Sequence, residues 1–196
     1  MLRINGLWEL VMLSIRSPRE GGEALLAQSL PRGTLWSVLA LCAIVSTLLS
    51  WVSAFLTGVA DAFAISFMER PVQGAIVQFI FGAILAGSIH SIGRTFGGRG
   101  AFDESLQVVA WLNVIMVALQ VAQLVAYPIF PLFAVFLTFA GVALFFYLLT
   151  GFVQAVHGFA SAGSVFVMIV LSLFAVLMVL SVILTSFGIA PLAMPQ

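Results

Sequence analysis

Apolar residues in this chain run on in long unbroken stretches, with neither the alternation of a half-buried strand nor the stripe of a surface helix. Five stretches stand out, at about 35–57, 71–92, 102–126, 131–153 and 164–187. A helix that crosses a bilayer needs about 20 apolar residues. Each stretch meets that length, and none carries a charge at its centre. Turn chemistry separates them. Pro71 suits the first turn of a helix, where its missing N–H costs nothing. Tyr127-Pro128 and Phe130-Pro131 predict a tight, uncharged hairpin between the third and fourth stretches. The expected architecture is all-α: a polytopic bundle of five transmembrane helices.

Residues 1–33 carry a different pattern, and with 34–196 as the five-helix transmembrane domain they make up the chain. Leu7, Trp8, Leu10, Val11, Met12 and Ile15 form a short apolar helix between Arg3 and Arg16. Ser17-Pro18-Arg19-Glu20 then reads as a capping box: serine caps, proline opens the helix, glutamate reaches back. The helix it starts holds Ala24, Leu25, Leu26 and Leu30, and Gly21-Gly22 is expected to weaken its first turns. Two short helices in the membrane interface follow, with arginines toward lipid phosphates. The alternative is a frayed lead-in to the first span.

Composition agrees with the pattern. The chain is 63% hydrophobic and 7% charged, which a soluble domain of 196 residues cannot hide from water. Net charge is zero, so no general basic surface exists for nucleic acid. The placement of charge gives the expected orientation. Arg3, Arg16, Arg19 and Arg32 precede the first span, and Arg94 and Arg99 lie between the second and third. The other side holds only Arg70. Positive loops stay inside, so the N-terminus is expected in the cytoplasm and the C-terminus outside. The 152–163 loop has no arginine and leaves this unchanged. All seven cations are arginine, a bias of GC-rich genomes that points to a bacterial inner membrane. The first long apolar run starts too late for a cleavable signal peptide. Cys42, the one cysteine, lies in an apolar run, so no intrachain disulfide forms.

Lipid tails are as apolar as leucine, so small residues and interhelical hydrogen bonds must hold the spans together. In the second span Gly74, Gln78, Gly82, Ala86 and His90 recur at a spacing of four, widened by Ala83 and Gly87. Ala118, Ala122 and Ala126 repeat the spacing in the third, and these two faces are expected to meet. The third span also carries Asn113, Gln120 and Gln123 within one sector. An unpaired amide in hydrocarbon is costly, so this sector should point inward with Gln78. It serves either as interhelical glue or as the polar lining of a small cavity. No acidic or basic residue sits mid-span, which argues against a proton-coupled or charge-moving pump.

Candidate chemistry gathers at two helix ends. HSIGRTFGGRGAF, from His90 to Phe102, packs two arginines, four glycines and a histidine between apolar runs. His157 ends the fourth span in a similar setting. Three readings stay open. Two histidines are few for a metal site, and only Asp103 and Glu104 lie nearby in the sequence. A lipid-headgroup or anion site would use His90, Arg94, Arg99 and His157, with glycine-loop N–H groups for phosphate. The third reading makes both histidines caps of helix C-termini. GGRG lacks the lysine and the preceding strand of a nucleotide loop. No catalytic triad, haem motif or dinucleotide motif is present, so neither a cofactor nor enzymatic activity is expected.

In order along the chain, these features resemble the Ypt-interacting protein (Yip) family in its bacterial form. The resemblance rests on a Pro18-Arg19 pair before the first span, the HSIGRTFGGRGAF loop, a third span opening with LQVVAW, a fourth ending in FVQAVHGF, and a uniform fifth. It implies an integral membrane protein with five spans, a cytoplasmic N-terminus and no enzymatic activity. Eukaryotic members bind Rab GTPases in traffic between endoplasmic reticulum and Golgi. This chain lacks their long acidic N-terminal region and its DLYGP-like motif, which puts Rab binding in doubt. The expected role is a membrane-organising scaffold that meets lipids, further copies of itself or a larger membrane complex. The alternative is a small transporter, channel or lipid-moving protein built on the polar face of the third span. A weaker third possibility is a membrane-embedded enzyme using His90 and His157.

Overall fold

The computed structural model describes residues 6–57 and 71–186. Arg3 and the segment holding Asp61, Glu69 and Arg70 lie outside the described residues, as does the C-terminal end of the fifth stretch at residue 187. Seven helices occupy the described part. They are α1 (Leu7–Arg16), α2 (Pro18–Leu26), α3 (Arg32–Thr57), α4 (Pro71–Thr95), α5 (Phe102–Ala126), α6 (Pro131–His157) and α7 (Ala162–Ser186). The helices α3 to α6 are each long and apolar enough to cross a membrane, and α7 is apolar over Ala162–Ala175. The five expected stretches are therefore helices. Four of them extend beyond the apolar run, three because polar residues such as Arg32, Thr95 and His157 join the helix at its ends and the fourth by starting at Ala162.

α5 is the centre of the bundle, packed against α3, α4 and α6, while α7 joins along α6. Its first half is buried almost all round: Ser105 to Leu112 and then Ile115. Its second half is not, and Ala118 and Ala122 face outward. The expected contact between the two small-residue faces therefore does not form. The second-span stripe meets α3 instead. Gly82 seats Leu39, whose methyl would stand 2.8 Å from a Cβ at that position, and Ala86 is fully buried. A small-residue face shows that close approach is possible; it does not name the partner.

The two expected N-terminal helices form, and they are folded onto the bundle. α2 lies along α6 and reaches α5. Gly21 and Gly22 are contact points and not weak spots. A Cβ on Gly22 would stand 2.8 Å from Ala155 and 3.2 Å from the Phe152 ring, and Gly21 lies against the Ser14 backbone. From the other side, Gly151 of α6 receives Pro18 so closely that a Cβ would collide with it. Ser17 makes no side-chain cap bond, since proline already removes one orphan donor. The capping carboxylate is found elsewhere: Glu104 accepts the Ala101 N–H at 2.7 Å at the start of α5. α1 buries Leu10 and Ser14 against the bundle and leaves Leu7, Trp8 and Ile15 exposed.

Candidate functional site

The segment from His90 to Phe102 and the end of α6 come together around one buried imidazole. α4 closes at Gly97, which takes φ 87°. Only glycine enters that left-handed region without cost. Gly98 N–H donates to Gly93 O at 2.8 Å and Gly97 N–H to Arg94 O at 3.1 Å, the paired bonds of a Schellman ending. α6 ends by the simpler left-handed route, with Gly158 at φ 71° and its N–H on Gln154 O at 2.8 Å. The glycines thus end the helices as the capping reading requires. The histidines do something else.

His157 is 4% exposed and reaches across to α4 and its loop. Its Nδ1 accepts the Gly100 N–H at 3.2 Å, and its Nε2 lies 3.0 Å from Ile89 O. Nδ1 facing an N–H carries no proton, so the proton sits on Nε2 and is donated to the carbonyl. His90 meets the same glycine from the other side, with Nδ1 3.2 Å from Gly100 O. That contact requires its proton on Nδ1. The two rings hold opposite tautomers and share Gly100 between them. Gly93, Gly98 and Gly100 all seat His157: a Cβ on Gly93 or Gly98 would collide with its ring, and one on Gly100 with Val156. Three of the four glycines in the segment are therefore needed for packing, and the fourth for its backbone.

Of the four residues expected at an anion site, the structure turns the histidines inward and the arginines outward. Arg94 and Arg99 are both exposed. His157 has both ring nitrogens engaged. Aromatic contacts carry the cluster on to α3: His90 meets Phe102 edge-on at 6.1 Å, and Trp36 lies 6.3 Å from Phe102 and 5.7 Å from Phe79. Arg32 pairs with Asp103 at 3.0 Å and stacks over the Phe102 ring at 5.2 Å. Both partners of that pair are more than half exposed, so it aligns α3 with α5 more than it stabilises them.

Sequence reasoning missed a second set of polar contacts at this end. Gln107 Nε2 donates to Leu25 O and Gln28 O, each at 2.8 Å, and so caps the end of α2. Trp111 Nε1 donates to Ser14 Oγ at 3.0 Å, and that hydroxyl donates to Leu10 O at 2.8 Å. Tyr147 Oη donates to Arg16 O at 3.2 Å. The signal available was the run Gln107–Trp111 at the head of an apolar span: two polar-tipped side chains one turn apart, on one face.

The intramembrane amides divide. Gln120 is glue: it accepts from Ser46 Oγ at 2.8 Å and donates to Ser46 O at 3.1 Å and Ser50 Oγ at 2.9 Å, all on α3. Gln78 accepts a long bond from Thr47 at 3.4 Å. Asn113 turns back to its own helix, donating to Val109 O at 2.9 Å. Gln123 borders Gly141 of α6, its Nε2 3.6 Å from where a Cβ would stand there. The four do not converge on one point. No group of three or more potential metal ligands occurs among the described residues.

Long apolar helices, amide ties between them and a glycine-lined latch define a polytopic helical membrane protein. A family model described as Yip1 domain matches residues 12–183, and the chain belongs to that family. The match takes in α2 to α6 whole, the second half of α1, and α7 up to residue 183. No match was found among curated proteins or among solved structures.

Proposed function

We propose that this protein is a non-enzymatic scaffold of the bacterial inner membrane, with its arginine-bearing end in the cytoplasm. The observation that carries the reading is the use made of polar groups at that end. Both nitrogens of His157, the Nδ1 of His90 and both backbone groups of Gly100 are spent on one another or on Ile89. A site built to bind and release a substrate keeps polar groups unspent; a rigid platform does not. α1, α2, the 96–101 loop and the ends of α5 and α6 form that platform. Arg94 and Arg99 project from it, suited to lipid phosphates. Leu7 and Trp8, 75% and 73% exposed, suit the headgroup boundary.

The partner is a second copy of the chain or a larger membrane complex. Crosslinking in native membranes followed by gentle purification tests this. Recovery of a defined oligomer or a stoichiometric partner is the expected result, and a strictly monomeric protein with no partner would refute it. The runner-up is a small transporter or lipid-moving protein using the polar face of α5. Gln120 bonding into α3 favours the glue reading of that face, while Asn113 spends an amide N–H on its own helix and does not offer it to a cavity. Flux or lipid scrambling above that of empty liposomes would revive the alternative.

A further inference from the structure

Beneath the His157 latch, α4 stands away from α6 and α7 and leaves an apolar cavity of about 160 Å³. Leu85 and Ile89 line it from α4, Leu149 and Val153 from α6, and Ile169 from α7. Two hydroxyls, Ser88 and Ser172, are the only polar side chains in its wall among the described residues. Gly93 closes its end, and Gly93 is also a seat of the His157 ring. Ile89 has a double part: its side chain lines the cavity and its carbonyl accepts the His157 Nε2–H bond. The latch therefore fixes one end of the cavity by tying α4 to α6.

Size and chemistry select the occupant. A helix is about 10 Å across with its side chains and does not enter a space this small. A cavity of about 150 Å³ lined by leucine, isoleucine and phenylalanine takes a benzene-sized apolar group. The present cavity accordingly suits a few methylenes of one chain. Among the described residues its wall offers no charged or amide group to a free carboxylate, so nothing in it singles out a fatty acid. A glycerophospholipid of the surrounding bilayer reaches it with its headgroup at the interface and one chain turned inward. The outward neighbours Phe81, Ile84 and Leu173 are exposed where lipid surrounds the bundle, so the path from the bilayer is apolar throughout. We propose that this cavity is a binding site for one acyl chain of a glycerophospholipid, closed at its polar end by the Gly93–His157 latch. The proposal stands apart from the scaffold reading, since the site would serve a monomer equally.

The test uses the full chain in phosphatidylethanolamine–phosphatidylglycerol vesicles containing a phospholipid with a photoreactive group midway along one chain. After illumination, label is expected to concentrate on the α4 residues 81–93 and the α7 residues 168–173. Ile169→Trp fills the cavity and should abolish that excess, while label on the outward-facing Phe136 and Phe139 of α6 persists. Excess unlabelled phospholipid should compete, and free fatty acid should not. Label spread evenly over lipid-facing helices, or unchanged by Ile169→Trp, would overturn the proposal, as would displacement by fatty acid alone. Should Ile169→Trp fail to give a monodisperse protein, Ser172→Phe obstructs the same space from the next turn of α7 and is read in the same way.

Discussion

The two ends of this bundle are built differently. At the arginine-bearing end, helix backbones nearly touch: Gly151 receives Pro18, Gly22 meets Phe152, and Gly93, Gly98 and Gly100 enclose His157. Buried polar bonds there tie α5 to α1 and α2, and α6 to α4. At the far end, the second half of α5 and the first half of α6 present Val121, Val125, Leu132, Phe133 and Phe136 outward. Ties between helices are sparse among the described residues of that end, with Gln120 on α3 the main one. All ten charged side chains among the described residues, five arginines and five acids, belong to the first end. Charge and close packing coincide because water is within reach there. Polar backbone and side chains can leave the lipid and turn a corner, and glycine lets them do so tightly. Deeper in the bilayer, helices meet a solvent as apolar as themselves and gain little from burial.

This contrast predicts a graded response to mutation. The largest effect is expected from Gly100→Val, which forces a side chain into Val156 and His157. Overpacking costs about 1–3 kcal/mol, and the backbone contact here places it at the top of that range. Thermal unfolding in detergent should show a clearly lowered midpoint, and an unchanged one would mean that the loop is not seated as described. His157→Ala comes next. It leaves the Gly100 N–H and the Ile89 carbonyl without the imidazole, at about 1–3 kcal/mol for unsatisfied buried groups. His90→Ala, which loses one half-buried bond, should cost about 1 kcal/mol or less by the same measurement. An equal cost for both histidines would break the assignment of His157 as the central member.

Trp111→Phe keeps an aromatic ring but removes the indole N–H bond to Ser14, for about 1 kcal/mol, with a further cost for the space the smaller ring leaves. Its signature is local: α1 should become more open to proteolysis while the spans stay intact, and no change in cleavage would remove Trp111 from the docking contact. The smallest effect is expected at the far end. Gln120→Leu loses bonds to Ser46 and Ser50, yet interhelical hydrogen bonds in membranes average about 0.6 kcal/mol. Ala118→Leu and Ala122→Leu should be neutral, because both positions face outward. A large loss in either alanine variant would show that this face is covered by another chain, which would favour the oligomer proposed above.

The helices themselves were readable from the chain. Runs of about 20 apolar residues have one solution in a bilayer, since every backbone polar group must be satisfied within its own segment. Pro71, Pro131 and the hairpin at 127–131 marked where they start and turn, and α5 begins and ends where the pattern placed it. The candidate site was readable only in outline. His90, His157 and the glycine-rich segment stood out, but as separate helix ends with capping histidines. That His157 crosses to Ile89 and shares Gly100 with His90 depends on how α4 and α6 lie together, which composition does not encode. The same holds for Gly21-Gly22, weak by helix propensity and strong by contact, and for Ala118 and Ala122, which match a packing motif and face away from it. Gln107 went unnoticed because an amide near a helix start reads as ordinary until the end of α2 is seen to lie beneath it.

By itself, then, the sequence determined that this is a five-stretch helical membrane protein, because the hydrophobic length of a span is a local property, while the match along residues 12–183 places it in the Yip family. Tertiary structure decided which small residues are contacts, which amides are ties and what the histidines hold. Those choices depend on which helix comes to lie beside which. In a membrane that pairing is settled by shape and a few hydrogen bonds, not by hydrophobicity that every span shares.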